Sequence, residues 1–144
     1  MTYLLDTNVI SELVKPTPHP TVVAWAIATS PLQQYLSVLT LGELEKGITL
    51  MSVGARQAAL LRWAHIDVPR QFLHRVLPLD EDVAKVWGRL SAAGQASGRV
   101  LPVIDGLLLA TAMVAGVTLA TRNVADVANR GTPVFDPWTG TLHP

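Results

Sequence analysis

The chain has 144 residues, of which 49% are hydrophobic and 15% charged, enough for one domain with a substantial core and too few for two of ordinary size. Lys plus Arg and Asp plus Glu each number 11, giving a formal net charge of zero. That argues against a domain that holds nucleic acid by bulk electrostatics, but not against an enzyme that meets a phosphodiester at a metal site. The apolar excess and low charge point to buried strands plus some surface kept for a partner chain. No cysteine is present, so disulfides and thiolate metal sites are absent, as in many proteins of a reducing cytoplasm. No apolar run reaches the roughly 18 residues that span a membrane. Residues 103–121 come nearest, and Asp105, Gly106 and Gly116 interrupt them. The N-terminus carries no basic n-region and no small-residue cleavage site, so a cytoplasmic protein is expected.

The first ten residues, MTYLLDTNVI, read as a short buried strand ending in Asp6 and turning at once into a helix begun by Thr7 and Asn8. A loop punctuated by Pro16, Pro18 and Pro20 follows, then a helix over residues 21–29 that ends at Ser30-Pro31. Residues 34–38 form a strand candidate. Residues 40–51 read as a helix with Leu41, Leu44, Ile48 and Met51 on one stripe. Two helical stretches fill 55–66 and the residues up to His74, and they are able to pack as an antiparallel pair. After a short extended segment at 75–79, Asp80 caps a helix whose Val83, Val86, Trp87 and Leu90 recur at helical spacing. Residues 94–98 (GQASG) read as a flexible break and 100–102 as an extended lead-in. Residues 103–115 form an apolar helix closed by Gly116, residues 117–120 a strand, and Asn123 caps a short helix to about Asn129. Residues 131–136 end the sheet, and Pro137-Trp138 closes the tail. Trp25, Trp63 and Trp87, on helical faces, are assigned to packing. Strands alternating with helices indicate a parallel α/β/α sandwich with helices on both faces, spanning residues 1–144 as one domain.

Four of the 11 acidic residues stand at ends of these elements. Asp6 ends the first strand, Glu43 lies in the first turn of the helix after the second strand, Asp105 opens the apolar helix, and Asp126 follows the strand at 117–120. Strand carboxyl ends and the helix starts after them share one edge of a parallel sheet, so Asp6, Glu43 and Asp126 are directed to one rim. Asp105 joins them if its helix starts there. Two like charges about 4 Å apart repel by roughly 4 kcal/mol at an effective dielectric near 20, which a hard divalent cation relieves. Mg²⁺ suits such a site, because it takes one or two carboxylates and keeps waters for reaction. The helix starts at Thr7–Asn8 and 121–123 add backbone N–H groups that favour an anion. His19, His65, His74 and His143 are scattered, so zinc is not indicated. Plainer roles stay open: Thr40 and Glu43 match a capping box, Asp105 complements a helix dipole, and Asp126 fits a solvated surface helix.

The motifs themselves resemble a family. Residues 4–13 (LLDTNVISEL) look like the opening of PIN-domain ribonucleases, specifically the VapC/FitB-type toxins of bacterial toxin–antitoxin pairs. Residues 37–47 (SVLTLGELEKG), 102–112 (PVIDGLLLATA) and 119–126 (LATRNVAD) resemble the second, third and fourth motifs, in family order. The resemblance implies a PIN-like sandwich with a five-stranded parallel sheet. It implies RNA cleavage dependent on Mg²⁺ or Mn²⁺, a homodimer, and a cognate antitoxin of the VapB type that covers or enters the site. Asp6, Glu43, Asp105 and Asp126 occupy the positions of the family's acids, while Asn8, Thr121 and Asn123 match supporting positions. Where the family often has an aromatic after the fourth acid, this chain has Val127.

The resulting expectation is an endoribonuclease in which Asp6 and Asp105 hold the metal, Glu43 orients or deprotonates the water and Asp126 completes the set. Arg122 and Lys46, beside the motifs, are candidate phosphate contacts. A catalytically silent PIN fold that acts through protein partners is the alternative. A haloacid-dehalogenase-type site wants a second Asp two residues after the first, where this chain has Asn8. The absence of a Gly-Lys-Ser/Thr loop argues against nucleotide hydrolysis.

Overall fold

A computed structural model describes residues 1–144. The strands are β1 (Tyr3–Leu5), β2 (Gln34–Ser37), β3 (Val76–Leu77), β4 (Thr118–Ala120), β5 (Val134–Asp136) and β6 (Thr141–His143). They form a single sheet in the order β3-β2-β1-β4-β5-β6. The first five of these in space are parallel, as expected, and β6 adds antiparallel to β5. The helices are α1 (Thr7–Leu13), α2 (Pro20–Ala28), α3 (Val38–Thr49), α4 (Ala55–Arg62), α5 (Val68–Gln71), α6 (Glu81–Ala96), α7 (Val103–Ala115) and α8 (Val124–Val127).

Alternation along the central strands divides the core between two faces. Leu5 and Ala120 join Val9, Ile10, Val22, Leu36, Leu44, Val68 and Phe72 on the face covered by α1–α5. Leu4 and Leu119 join Leu101, Leu108, Leu109, Ala112, Val127 and Val134 on the face covered by α6–α8. Val127 is thus a buried core side chain, filling the place that the family pattern often gives to an aromatic. The tryptophans serve packing: Trp25 meets Tyr3 edge-on with ring centroids 5.1 Å apart, Trp63 packs on the first cluster, and Trp87 abuts Gly106.

Several expectations are corrected. The helix expected at 40–51 begins at Val38, because the Ser37 hydroxyl accepts from the Leu39 amide and caps it directly after β2. Thr40 is therefore buried inside α3, Glu43 stands in its second turn, and the capping-box reading of Glu43 falls. Residues 55–71 run on as one rod through a π-type turn at Trp63–Asp67 instead of folding into a pair. Pro69, which has no N–H to give the helix ladder, sits just after this widened turn. Residues 94–96 stay helical, with Gly94 buried in α6. A Cβ there would lie 2.7 Å from the Arg99 carbonyl oxygen, so that glycine serves a close approach, not a break. The tail beyond Trp138 forms β6: Asp136 accepts from the Trp138 amide, and Gly140, at φ +72°, completes the turn.

Candidate active site

The rim at the carboxyl ends of β1, β2 and β4 is assembled from short connections. Asp6 leaves β1 with 5% exposure and its amide still bonded to the Ala120 carbonyl of β4. Its Oδ1 accepts from the Thr7 amide at 2.6 Å. Its Oδ2 accepts from the Thr121 hydroxyl at 2.7 Å and from the Asn8 side-chain Nδ2 at 3.2 Å. Asn8 in turn accepts from the Arg122 amide at 3.4 Å, and the Thr121 hydroxyl accepts from the Asn123 amide at 3.0 Å. Asn8 and Thr121 therefore tie the end of β1 to the end of β4, and Asn123 secures the Thr121 hydroxyl. Of the expected anion-binding start of α1, the Thr7 amide already serves Asp6.

Glu43 comes to the same rim from α3, where its Oε1 accepts a 2.6 Å bond from the Thr7 hydroxyl. Thr7 was missed as a site residue, although its place between Asp6 and Asn8 was the available signal. Asp105 arrives from the first turn of α7. Burial raises the Asp105 carboxyl above its ordinary range; a hydrogen bond from the Asn123 side chain opposes this, and the charges of Asp126 and Glu43 add to it. Burial also pushes Asp6 up to about 6, against the Thr121 and Thr7 bonds, with the charges of Asp105 and Glu43 pushing the same way. Asp6, Glu43 and Asp105 thus bear on one another, and Asp126 joins through Asp105. Asp126 itself is exposed on α8.

None of these four acids is ion-paired, since the chain's salt bridges are Lys15–Glu12, His65–Glu45 and Lys85–Glu81. No three acidic or histidine side chains already close into a coordination cage. The donor set still fits a hard divalent cation: it is all oxygen and negatively charged, and burial together with neighbouring carboxylates raises the proton affinity of Asp6 and Asp105. Lys46 shares with Glu43 an apolar groove of about 540 Å³, lined also by Val38, Leu39, Leu79 and Ile104. Arg122 points its guanidinium over the Trp138 ring, 5.2 Å from the centroid.

An α/β/α sandwich with acidic side chains converging at strand carboxyl ends is the architecture of the PIN fold. The family profile described as PIN domain matches residues 3–125, and the chain belongs to that family. It is 35% identical over 135 residues to Toxin FitB of Neisseria gonorrhoeae, covering 94% of this chain and 97% of that one. It is 36% identical over 135 residues to VapC ribonuclease Y4jK of Sinorhizobium fredii, covering 94% and 96%. Among solved structures, FitAB bound to the IR36 DNA fragment matches with a TM-score of 0.90 at 34% identity, over 95% of this chain and 96% of that one. VapBC-1 from nontypeable Haemophilus influenzae shares the fold, with a TM-score of 0.72 at 24% identity over 96% and 99%. No helix of this chain is long and apolar enough to cross a membrane.

Proposed function

We propose that this chain is a metal-dependent endoribonuclease and the toxin of a toxin–antitoxin pair, with residues 1–144 acting as one domain. The observation that carries the proposal is the mutual repulsion of Asp6, Glu43 and Asp105 on one rim, with no Lys or Arg paired to any of them. Such an arrangement costs stability unless a cation is used there. The resemblance to FitB and to a VapC ribonuclease supplies the substrate class.

When bound, Mg²⁺ or Mn²⁺ supplies Lewis acidity at a phosphoryl oxygen and a lower pKa for water. Asp6 and Asp105 hold the ion, and Asp126 closes the set beyond Asp105. Glu43 keeps Oε1 on the Thr7 hydroxyl, which leaves Oε2 to take the proton of the attacking water. The water oxygen bonds to phosphorus, the P–O bond to one ribose breaks, and a solvent proton goes to the departing oxygen. Asn8, Thr121 and Asn123 fix the carboxylates in place. Lys46, in the groove beside Glu43, is a candidate phosphate contact. A VapB-type antitoxin is a proposed partner, in line with the FitAB complex it resembles, and a second copy of the chain is proposed beside it.

Cleavage of total RNA by the purified chain, with Mg²⁺ and with excess EDTA, tests this. Fragments with Mg²⁺ and none with EDTA are expected; intact RNA in both would defeat it. The alternative, a silent PIN fold holding protein partners, draws on the lack of a ready-formed coordination cage. A calorimetric titration with no Mg²⁺ heat from a folded chain would favour that alternative.

A further inference from the structure

The packing around α1 points to a built support for one cation beside the rim. Residues four apart on α1 share a face. On one face Asn8 meets Asp6 and Thr121, and one turn on, Glu12 is buried at 6% exposure. Glu12 accepts from the Lys15 ammonium at 3.1 Å and from the His19 amide at 3.4 Å, and the Trp138 side chain lies near enough to favour its charged form. Burial alone would raise this carboxyl, but the Lys15, His19 and Trp138 contacts prevail and hold it below its usual range, so it stays ionised. The Trp138 ring, packed against the first core cluster, lies in the turn between β5 and β6. Over that ring stands the guanidinium of Arg122. The Arg122 amide is itself bonded to Asn8, one contact from Asp6.

Arg122 lies next in sequence to Thr121 of the acid rim, yet it pairs with no carboxylate of the chain. An arginine next to an acidic rim ordinarily folds onto a carboxylate, and the Trp138 face offers Arg122 a competing cation–π contact. The planar guanidinium keeps its N–H edge for a bidentate anion while its face is stacked.

We infer that Arg122 binds a backbone phosphate of the substrate strand next to the scissile bond, and that Trp138, packed on the core in the turn between β5 and β6, is the positioning residue that keeps it off the acidic rim. This rests on the proposed ribonuclease reading and adds the residues that register the strand. Trp138 and Glu12 touch neither metal nor reacting atoms.

The test measures binding of a fluorescent single-stranded RNA of mixed sequence by anisotropy over a KCl series. Each variant is built in the Asp6→Asn chain so that no RNA is consumed, and kcat and KM are measured in parallel in the chain with Asp6 intact. Arg122→Ala is expected to weaken binding about tenfold, roughly the loss of one charge-assisted contact, and to flatten the log–log salt slope by about 0.7. KM should rise accordingly. Trp138→Leu should move both readouts the same way, whereas Trp138→Phe, which keeps a ring under the guanidinium, should restore them. Thermal melts identify any variant that fails to fold, and Arg122→Gln, of similar size, then takes the place of the alanine. Unchanged KM and salt slope in Arg122→Ala, with wild-type cleavage intact, overturn this inference alone. A wild-type chain that neither binds nor cleaves RNA overturns it together with the proposed function.

Discussion

The Thr121 hydroxyl and the Asp6 carboxylate, 115 positions apart in sequence, are joined by a 2.7 Å hydrogen bond that links the ends of β4 and β1. This bond favours the charged form of Asp6 and opposes the burial that raises it. Thr121→Val keeps the shape and removes the donor. We expect Asp6 to rise further above about 6, Mg²⁺ affinity at pH 7 to fall, and stability at pH 8 to drop by about 1–3 kcal/mol. Calorimetric Mg²⁺ titration and denaturant melts check both, and wild-type values in each would show the bond to be idle.

Asp6 also sets a pH dependence. Its carboxyl moves from 3.8 to about 6 on folding, so the folded state holds its proton more tightly. Stability is therefore fully present below pH 4 from this group and is lost as pH rises toward 6. A shift of about two units corresponds to at most about 3 kcal/mol. Asp6→Asn should abolish this decline and melt higher than wild type at pH 8, with little difference at pH 4. Mg²⁺ binds the ionised form, so it should raise the wild-type melting temperature above pH 6 and hardly at pH 4.5. Metal stabilisation that is equal at the two pH values contradicts the assignment.

Glu43 and Thr7 form the second linked pair. Glu43→Gln retains an acceptor for the Thr7 hydroxyl but no base, and should lower kcat by about 10²–10⁴ with an unchanged melting temperature. Thr7→Val leaves the base in place but unoriented, and should cost about 10–100-fold. Single-turnover cleavage rates rank the two. A Thr7 variant slower than Glu43→Gln reverses the assigned roles.

Gly106 follows Asp105 where α7 packs on α6. A Cβ there would lie 3.0 Å from Leu101 Cδ2 and 3.1 Å from Trp87 Cδ1. Gly106→Ala should destabilise the fold by about 1–3 kcal/mol through overpacking. Trimming the obstruction with Leu101→Ala should recover part of the added strain in a double-mutant cycle. Strictly additive losses would place the strain elsewhere.

Periodicity made most of this fold legible in sequence. Apolar runs ending in turn residues mark β1, β2 and β4, and Asp80 and Gly116 bracket helices as their cap chemistry requires. The errors arose where tertiary contact decides. Gly94 looked like a breaker because sequence does not reveal that Arg99 closes over it. Ser37 as the cap of α3 was hidden behind the equally plausible Thr40. The three-residue β6 is too short to carry a period and depends on the turn at Asp136–Gly140. At the candidate site, Asp6, Asp105 and Asp126 were legible because each follows a strand or opens a helix, whereas Glu43 stands in the second turn of α3. The partners Thr7 and Trp138 were not legible, since their roles depend on contacts distant in sequence, Thr7 with Glu43 36 positions on and Trp138 with Arg122.

The claim that Asp6 and Asp105 share a divalent cation is tested most directly by anomalous diffraction from crystals grown with Mn²⁺, collected at the manganese edge. We expect one strong peak within coordinating distance of a carboxylate oxygen of each residue, absent from crystals of Asp6→Asn. A fully ordered wild-type rim with no peak there, or a peak that survives in Asp6→Asn, would contradict it.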